Sequence, residues 1–258
     1  VNKALLHTSF LVLLIFLGNQ LFAQPLRIAV AANAQGLIKK LQADFKKRTG
    51  LETEAIVGAS GKLSTQIKNG APYDLFLSAD THFPEQLYAS GFGIKKPIIY
   101  AMGSLIICGS NKLDINNWQN LLQSNQIPKI AIANPKTAPY GQAAEESLSF
   151  YKLYDKVKTK LVQGESISQV NTYLQTGAVT IGFTTESFLY ENNSKSHLKW
   201  ARIDQKSYKP ITQGAILLKH AKKGKLAAAN KFFDYLSSSA ARKIISNSGY
   251  HLPSNSML

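Results

Sequence analysis

The chain has one cysteine, Cys108, in 258 residues, and half as many acidic side chains as basic ones: 15 Asp and Glu against 30 Lys and Arg. A single cysteine excludes an internal disulfide. Cys108 stands in the apolar run Leu105-Ile106-Ile107-Cys108, which reads as a buried strand and not as a reactive thiol. Beyond residue 23 no apolar run approaches the ~20 residues of a membrane span. No repeat, low-complexity tract or Gly/Ser linker divides the chain. His82, His197, His220 and His251 stand apart from one another, which speaks against a metal centre. No cysteine directly follows Ala23, so a lipid anchor at that point is not expected.

The first 23 residues carry Lys3, apolar residues at 4–17 and then Leu21-Phe22-Ala23. A basic start, an apolar core and a small residue at the cleavage point make a secretory signal peptide, and Gln24 is the expected first mature residue. The expected location is the periplasm. Cleavage leaves 235 of the 258 residues, enough for one large lobe or two modest ones. Loss of Lys3 lowers the formal charge from +15 to +14. Such a field concentrates anions around the protein. It also suits nucleic acid. The basic residues are dispersed, however, with only pairs such as Lys39-Lys40 and Lys222-Lys223, and no aromatic–basic interleaving.

Residues 57–80, VGASGKLSTQIKNGAPYDLFLSAD, organise the rest. The small residues Gly58-Ala59-Ser60-Gly61 lead into a short amphipathic run with Leu63 and Ile67, closed by Gly70. Residues 74–77 then read as a buried strand. Helix N-termini leave N–H groups without intrahelical partners and favour negative charge. A loop of small residues lets an anion reach them. Ser60 is read either as a hydroxyl donor at the mouth of such a site or as a plain N-cap. A phosphate-binding loop is excluded because Gly61-Lys62 is followed by Leu63. A nucleophile elbow is excluded because the second glycine comes one place early.

In chain order, LRIAV at 26–30 is a strand, AANAQG a small-residue loop, and Leu37, Ile38, Leu41 and Phe45 mark one face of a helix ended by Gly50. Residues 53–57 are the next strand. Alternation of strand and helix predicts parallel strands with crossover helices, whose ligand sites lie at the strands' carboxyl ends. Asp80 is expected to cap a helix beginning at Phe83. Residues 100–108 carry the chain into a second lobe. The pattern then restarts: a strand at 130–133, the loop NPKTAPY, and a helix from Gly141. A strand follows at 160–162, then a helix opened by a Ser166/Gln169 capping box, and a strand at 179–184. Strands at 200–203 and 215–218 and helices at 225–237 and 240–246 close the chain, the first of these helices burying Leu226, Phe232, Phe233 and Leu236. The boundaries expected are 24–103 plus 215–258 for lobe 1 and 104–214 for lobe 2.

The loop AANA, the segment GASGKL and above all GAPYDLFLSAD, continued by NPKTAPYGQAA and ESISQVNTYLQTGAVTIGF, resemble the periplasmic molybdate-binding proteins of ABC importers over the whole mature chain. The resemblance implies a two-lobed α/β fold, each lobe a mostly parallel sheet flanked by helices. The lobes would close on a tetrahedral oxyanion through neutral donors. It implies a monomeric, non-enzymatic receptor that binds molybdate, and tungstate, without a cofactor and delivers it to a membrane permease. Carried over by position, Asn33 and Ser60 are ligands in lobe 1, while Tyr140 and Ile167 donate backbone N–H groups in lobe 2. Ser60 then becomes a ligand that also caps. Two positions depart from the pattern. Many members have Ser where this chain has Asn33, whose amide still offers a donor. Many have Tyr where this chain has Thr185, whose shorter hydroxyl makes it the least suited of the five. No Asp or Glu stands in the AANA or GASG loops, which disfavours a protonated phosphate. The rival functions are a sulfate or thiosulfate receptor, a secreted serine hydrolase using Ser60 with His220 or His251, and a basic nucleic-acid-binding protein.

Overall fold

The computed structural model describes residues 24–191 and 198–254. The expected signal peptide and His197 lie outside the described residues. Two five-stranded sheets form the frame. The first contains β1 (Leu26–Ala31), β2 (Thr53–Gly58), β3 (Leu75–Leu77), β4 (Ile98–Gly103) and β10 (Ile211–Leu217), in the order β2-β1-β3-β10-β4. The second contains β5 (Leu105–Ser110), β6 (Ile130–Ala133), β7 (Leu161–Gly164), β8 (Ile181–Thr185) and β9 (Leu198–Arg202), in the order β7-β6-β8-β5-β9.

The two sheets share one plan. In each, three strands pair in parallel, and the fourth strand in the order runs antiparallel to both its neighbours. That reversed strand is β10 in the first sheet and β5 in the second. Each is reached by a crossing between the lobes. The outward crossing is a single residue, Ser104, between β4 and β5. The return is complete by Ile211, so β10 begins four residues before the expected boundary at 215.

Nine helices are assigned among the described residues: α1 (Gln35–Thr49), α2 (Ser60–Lys68), α3 (His82–Ala89), α4 (Trp118–Gln123), α5 (Pro139–Phe150), α6 (Tyr154–Val157), α7 (Ile167–Thr176), α8 (Leu226–Tyr235) and α9 (Ser239–Ser246). None is long and apolar enough to cross a membrane. The period of β1 shows how the layers form. Leu26, Ile28 and Val30 face the layer of Leu37, Leu41, Phe45 and Phe232. Ala29 faces the layer of Leu63, Ile67 and Phe76. Phe45 packs edge-on against Phe232 at 4.9 Å, joining α1 to α8. Leu226, expected inside, opens α8 at the surface and is more than a third exposed, whereas Phe232, Phe233 and Leu236 are buried. Gly50 and Gly177 end α1 and α7 with φ of 71°, a left-handed conformation that costs glycine nothing.

The helix starts differ from the sequence reading in informative ways. The cap of α2 is Ala59 and not Ser60, and no side chain bonds there. The cap of α7 is Ser166, but its hydroxyl makes no capping bond, and Gln169 Oε1 accepts from Glu165 N–H instead. The expected capping box is therefore displaced by one residue. Asp80 does serve α3, accepting from Phe83 N–H at 3.2 Å from just before the cap residue Thr81. Helix α5 begins at Pro139 and not Gly141: proline fits the first position, where its missing N–H is not needed. This places Tyr140 inside the first helical turn.

Candidate oxyanion site

A small cavity of about 10 Å³, walled almost entirely by buried residues, lies between the lobes at the carboxyl ends of β1, β2 and β6. Its walls include four of the five predicted residues, Asn33, Ser60, Tyr140 and Ile167, together with small or apolar neighbours such as Ala59 and Ala79. No wall residue is charged. Larger grooves flank it on the interlobe seam. One, of about 500 Å³, includes Asp80, Lys136, Glu146 and Lys209. The other, of about 370 Å³, includes Lys39, Lys40 and Glu191. Both carry carboxylates that an anion would have to face; the small cavity carries none.

Three helix starts converge on it. Ser60 is the first residue of α2, Tyr140 the second of α5 and Ile167 the first of α7, so their N–H groups have no partner within their own helices. Asn33 lies in a short 3-10 turn, Ala32–Ala34, that runs directly into α1.

Ser60 is 1% exposed, and its Oγ accepts a hydrogen bond from Ala79 N–H at 3.0 Å. A hydroxyl that accepts from the backbone keeps its own proton to donate. Ser60 is thus held by β3's exit loop with a donor to spare, and it is not a cap.

Asn33 is turned differently from the sequence reading. Its side-chain amide donates to Gln213 Oε1 at 2.8 Å and to Tyr250 Oη at 3.0 Å. Both amide protons are thereby committed within the protein, leaving the backbone N–H as the donor that Asn33 has for the cavity. Its carbonyl accepts from Tyr250 Oη at 2.7 Å and from Ser187 Oγ at 3.2 Å.

Thr185 is not part of the wall. Its Oγ1 accepts from Phe188 N–H at 3.1 Å and lies 2.6 Å from Ser187 Oγ, capping the 3-10 turn that follows β8. Burial raises the phenols of Tyr100, Tyr140 and Tyr250 above their usual range, so all three are neutral hydrogen-bonding groups.

The lobes touch beside the cavity. Gly61 N–H donates to Thr137 O at 2.9 Å, and a Cβ at Gly61 would stand 3.1 Å from Thr137 Cα. Glycine permits this approach. Ser168 Oγ reaches Ala32 O at 3.2 Å, Gly36 N–H donates to Glu191 Oε1 at 3.1 Å, and Lys62 pairs with Glu165 at 2.5 Å.

The histidines offered to a hydrolase lie elsewhere. His220 Nδ1 is 2.9 Å from Asp74 Oδ1, at the opposite end of β3 from Ala79, which puts it ~16 Å along the strand from Ser60's partner. His251 is exposed and pairs through its backbone with Met102. Among the described residues no group of His, Cys, Asp or Glu is arranged to hold a metal ion. Burial raises the Cys108 thiol to about 12, keeping it protonated.

Sequence reasoning missed Ala79, Gln213 and Tyr250. Gln213 fell outside the strand expected at 215–218, although a polar residue in a strand whose other positions are small or apolar is a visible signal.

Residues 26–251 match the model of a bacterial extracellular solute-binding protein family. The chain is 34% identical over 231 residues to the molybdate-binding protein ModA of Azotobacter vinelandii, covering 89% of this chain and 91% of that one. It is 35% identical over 223 residues to ModA of Rhodobacter capsulatus, covering 86% of each. The solved periplasmic molybdate-binding protein of Azotobacter vinelandii superposes with a TM-score of 0.83 at 32% identity, covering 89% of this chain and all of that one. With this match along nearly all of its described length and two lobes closed around an uncharged cavity, the chain belongs to the bacterial extracellular solute-binding protein family, alongside these molybdate-binding relatives.

Proposed function

We propose that the chain is a periplasmic receptor for molybdate, and for tungstate, that delivers the anion to the membrane permease of an ABC importer. It does so as a monomer, without catalysis and without a cofactor. The observation that carries this reading is the cavity: helix starts from both lobes meet there, and no charged side chain stands in its wall. The names of the relatives supply the candidate ligand.

The chemistry follows from the donors. A buried divalent anion must be compensated. Hydrogen bonds to a charged group contribute about 1.5–3 kcal/mol each, so several of them suffice without Lys or Arg in the pocket. The N–H groups of Asn33, Ser60, Tyr140 and Ile167 and the hydroxyl of Ser60 are the proposed donors. Thr185 is not a ligand in this reading. An oxyanion without protons needs only donors; a protonated phosphate also needs an acceptor, and no carboxylate is present to act as one. The dispersed basic field speeds capture of the anion, and closure brings the donors of the two lobes together around it.

Isothermal titration of residues 24–258 with molybdate, tungstate, sulfate and phosphate tests the reading. Tight binding of the first two with no detectable phosphate binding is expected. Comparable affinity for sulfate overturns the assignment of ligand.

A further inference from the structure

Gln213 is fully buried, in a strand whose other side chains are small or apolar. A buried amide is costly unless its partners are supplied. Here they come from both lobes. Gln213 Oε1 accepts from Asn33 Nδ2 at 2.8 Å and from Tyr100 Oη at 3.5 Å, and Gln213 Nε2 donates to Tyr140 Oη at 3.4 Å.

The orientation of the amide is dictated by its neighbours. Tyr250 gives its one proton to Asn33 O, so its oxygen can only accept from the Asn33 side chain. Asn33 must therefore present Nδ2, and the atom of Gln213 facing it must be Oε1. That leaves Nε2 facing Tyr140.

The place is equally specific. The pairing of β10 with β4 shifts register between Gln213 and Gly214, and such bulges re-aim a side chain. Gly103 is the last residue of β4, one step before the crossing at Ser104. A Cβ there would collide with Tyr140 Oη and stand 3.0 Å from Gln213 Nε2. The Tyr140 hydroxyl thus occupies space that only glycine leaves open, where both crossing strands meet.

We propose that Gln213 is the positioning residue of the cleft, joining the Asn33 turn of the first lobe to the start of α5 in the second, so that the half-sites come into register together. The proposal rests on the anion-receptor reading of the cavity. Gln213 touches no ligand in this scheme; it acts through Asn33 and Tyr140.

The test uses residues 24–258 and the variants Gln213→Leu, Tyr140→Phe and their combination. Two readouts are taken: molybdate affinity by titration, and amide hydrogen exchange of residues 32–36 without ligand. Gln213→Leu should weaken binding roughly tenfold and Tyr140→Phe about threefold, with the double variant no weaker than Gln213→Leu alone. Tyr140→Phe, which lies in the second lobe, should also speed exchange in the 32–36 turn of the first. A role confined to local packing would leave that turn unchanged. Affinity within twofold of the parent for Gln213→Leu overturns the proposal, as do fully additive losses. If Gln213→Leu does not fold, Tyr140→Phe decides: unchanged exchange at 32–36 overturns it. Failure of the unmutated chain to bind molybdate removes the ligand assignment instead, and the exchange comparison still judges Gln213.

Discussion

The two lobes are built on one plan but offer the anion different chemistry. The first presents a side chain, the Ser60 hydroxyl held by Ala79 N–H, beside the backbone of the Asn33 turn. The second presents main chain: the first turns of α5 and α7, through Tyr140 and Ile167. The Ile167 side chain has no polar atom to give. A half-site made of backbone tolerates many residues provided the helix starts in the right place. A half-site that uses a hydroxyl depends on residue identity. Substitutions should therefore separate the lobes.

Ser60→Ala should have the largest effect of the simple truncations. It removes one bond to a charged group, about 1.5–3 kcal/mol, or roughly a ten- to hundredfold loss of affinity by titration. It also leaves Ala79 N–H without its acceptor, so thermal unfolding should show a drop of about 1–3 kcal/mol in stability. Gly61→Val tests closure without touching a donor. Its side chain would meet Thr137 backbone of the other lobe, and overpacking of about 1–2 kcal/mol predicts roughly a five- to thirtyfold loss in the same titration. Thr185→Val should change affinity by less than about threefold, because Thr185 reaches the cavity only through Ser187 and the Asn33 carbonyl. A loss matching that of Ser60→Ala would place Thr185 on the anion. Smallest is the effect of salt. Stopped-flow association should slow modestly as ionic strength rises, since screening shortens the field to ~8 Å near physiological salt, and affinity should fall only by that same factor because the dissociation rate stays nearly constant. An association rate independent of salt would remove the steering role of the basic field, +14 for residues 24–258 once Lys3 is left out of the chain's +15.

The contrast between lobes also explains what could be read from the chain alone. Strand and helix order was legible because Leu26, Ile28 and Val30 alternate and Leu37, Ile38, Leu41 and Phe45 recur at helical spacing. Ser60 stood out because a hydroxyl among glycine and alanine is conspicuous. Its bond to Ala79 was not legible, since that contact spans 19 residues and depends on β3 lying beside β1. Asn33 lies in the cavity wall, but the direction of its amide depended on Gln213 and Tyr250, 180 and 217 residues away. The Ser166/Gln169 pair shows the reverse error. The local motif was present, yet Gln169 bonds one residue earlier than the box requires. The start of α5 was read two residues late because Pro139 was taken for loop, although proline belongs at a first helical position.

The most direct test of the account compares Ile167→Pro with Ile167→Ala. Ile167 opens α7, and Ser166 before it is extended, with φ of −145° and ψ of 171°, a conformation that a following proline accepts. Proline at the first helical position keeps the helix and removes one N–H. Titration with molybdate should show Ile167→Ala within about threefold of the parent and Ile167→Pro weaker by roughly ten- to hundredfold, with circular dichroism unchanged in both. Equal affinities for the two variants would contradict a second half-site made of backbone donors.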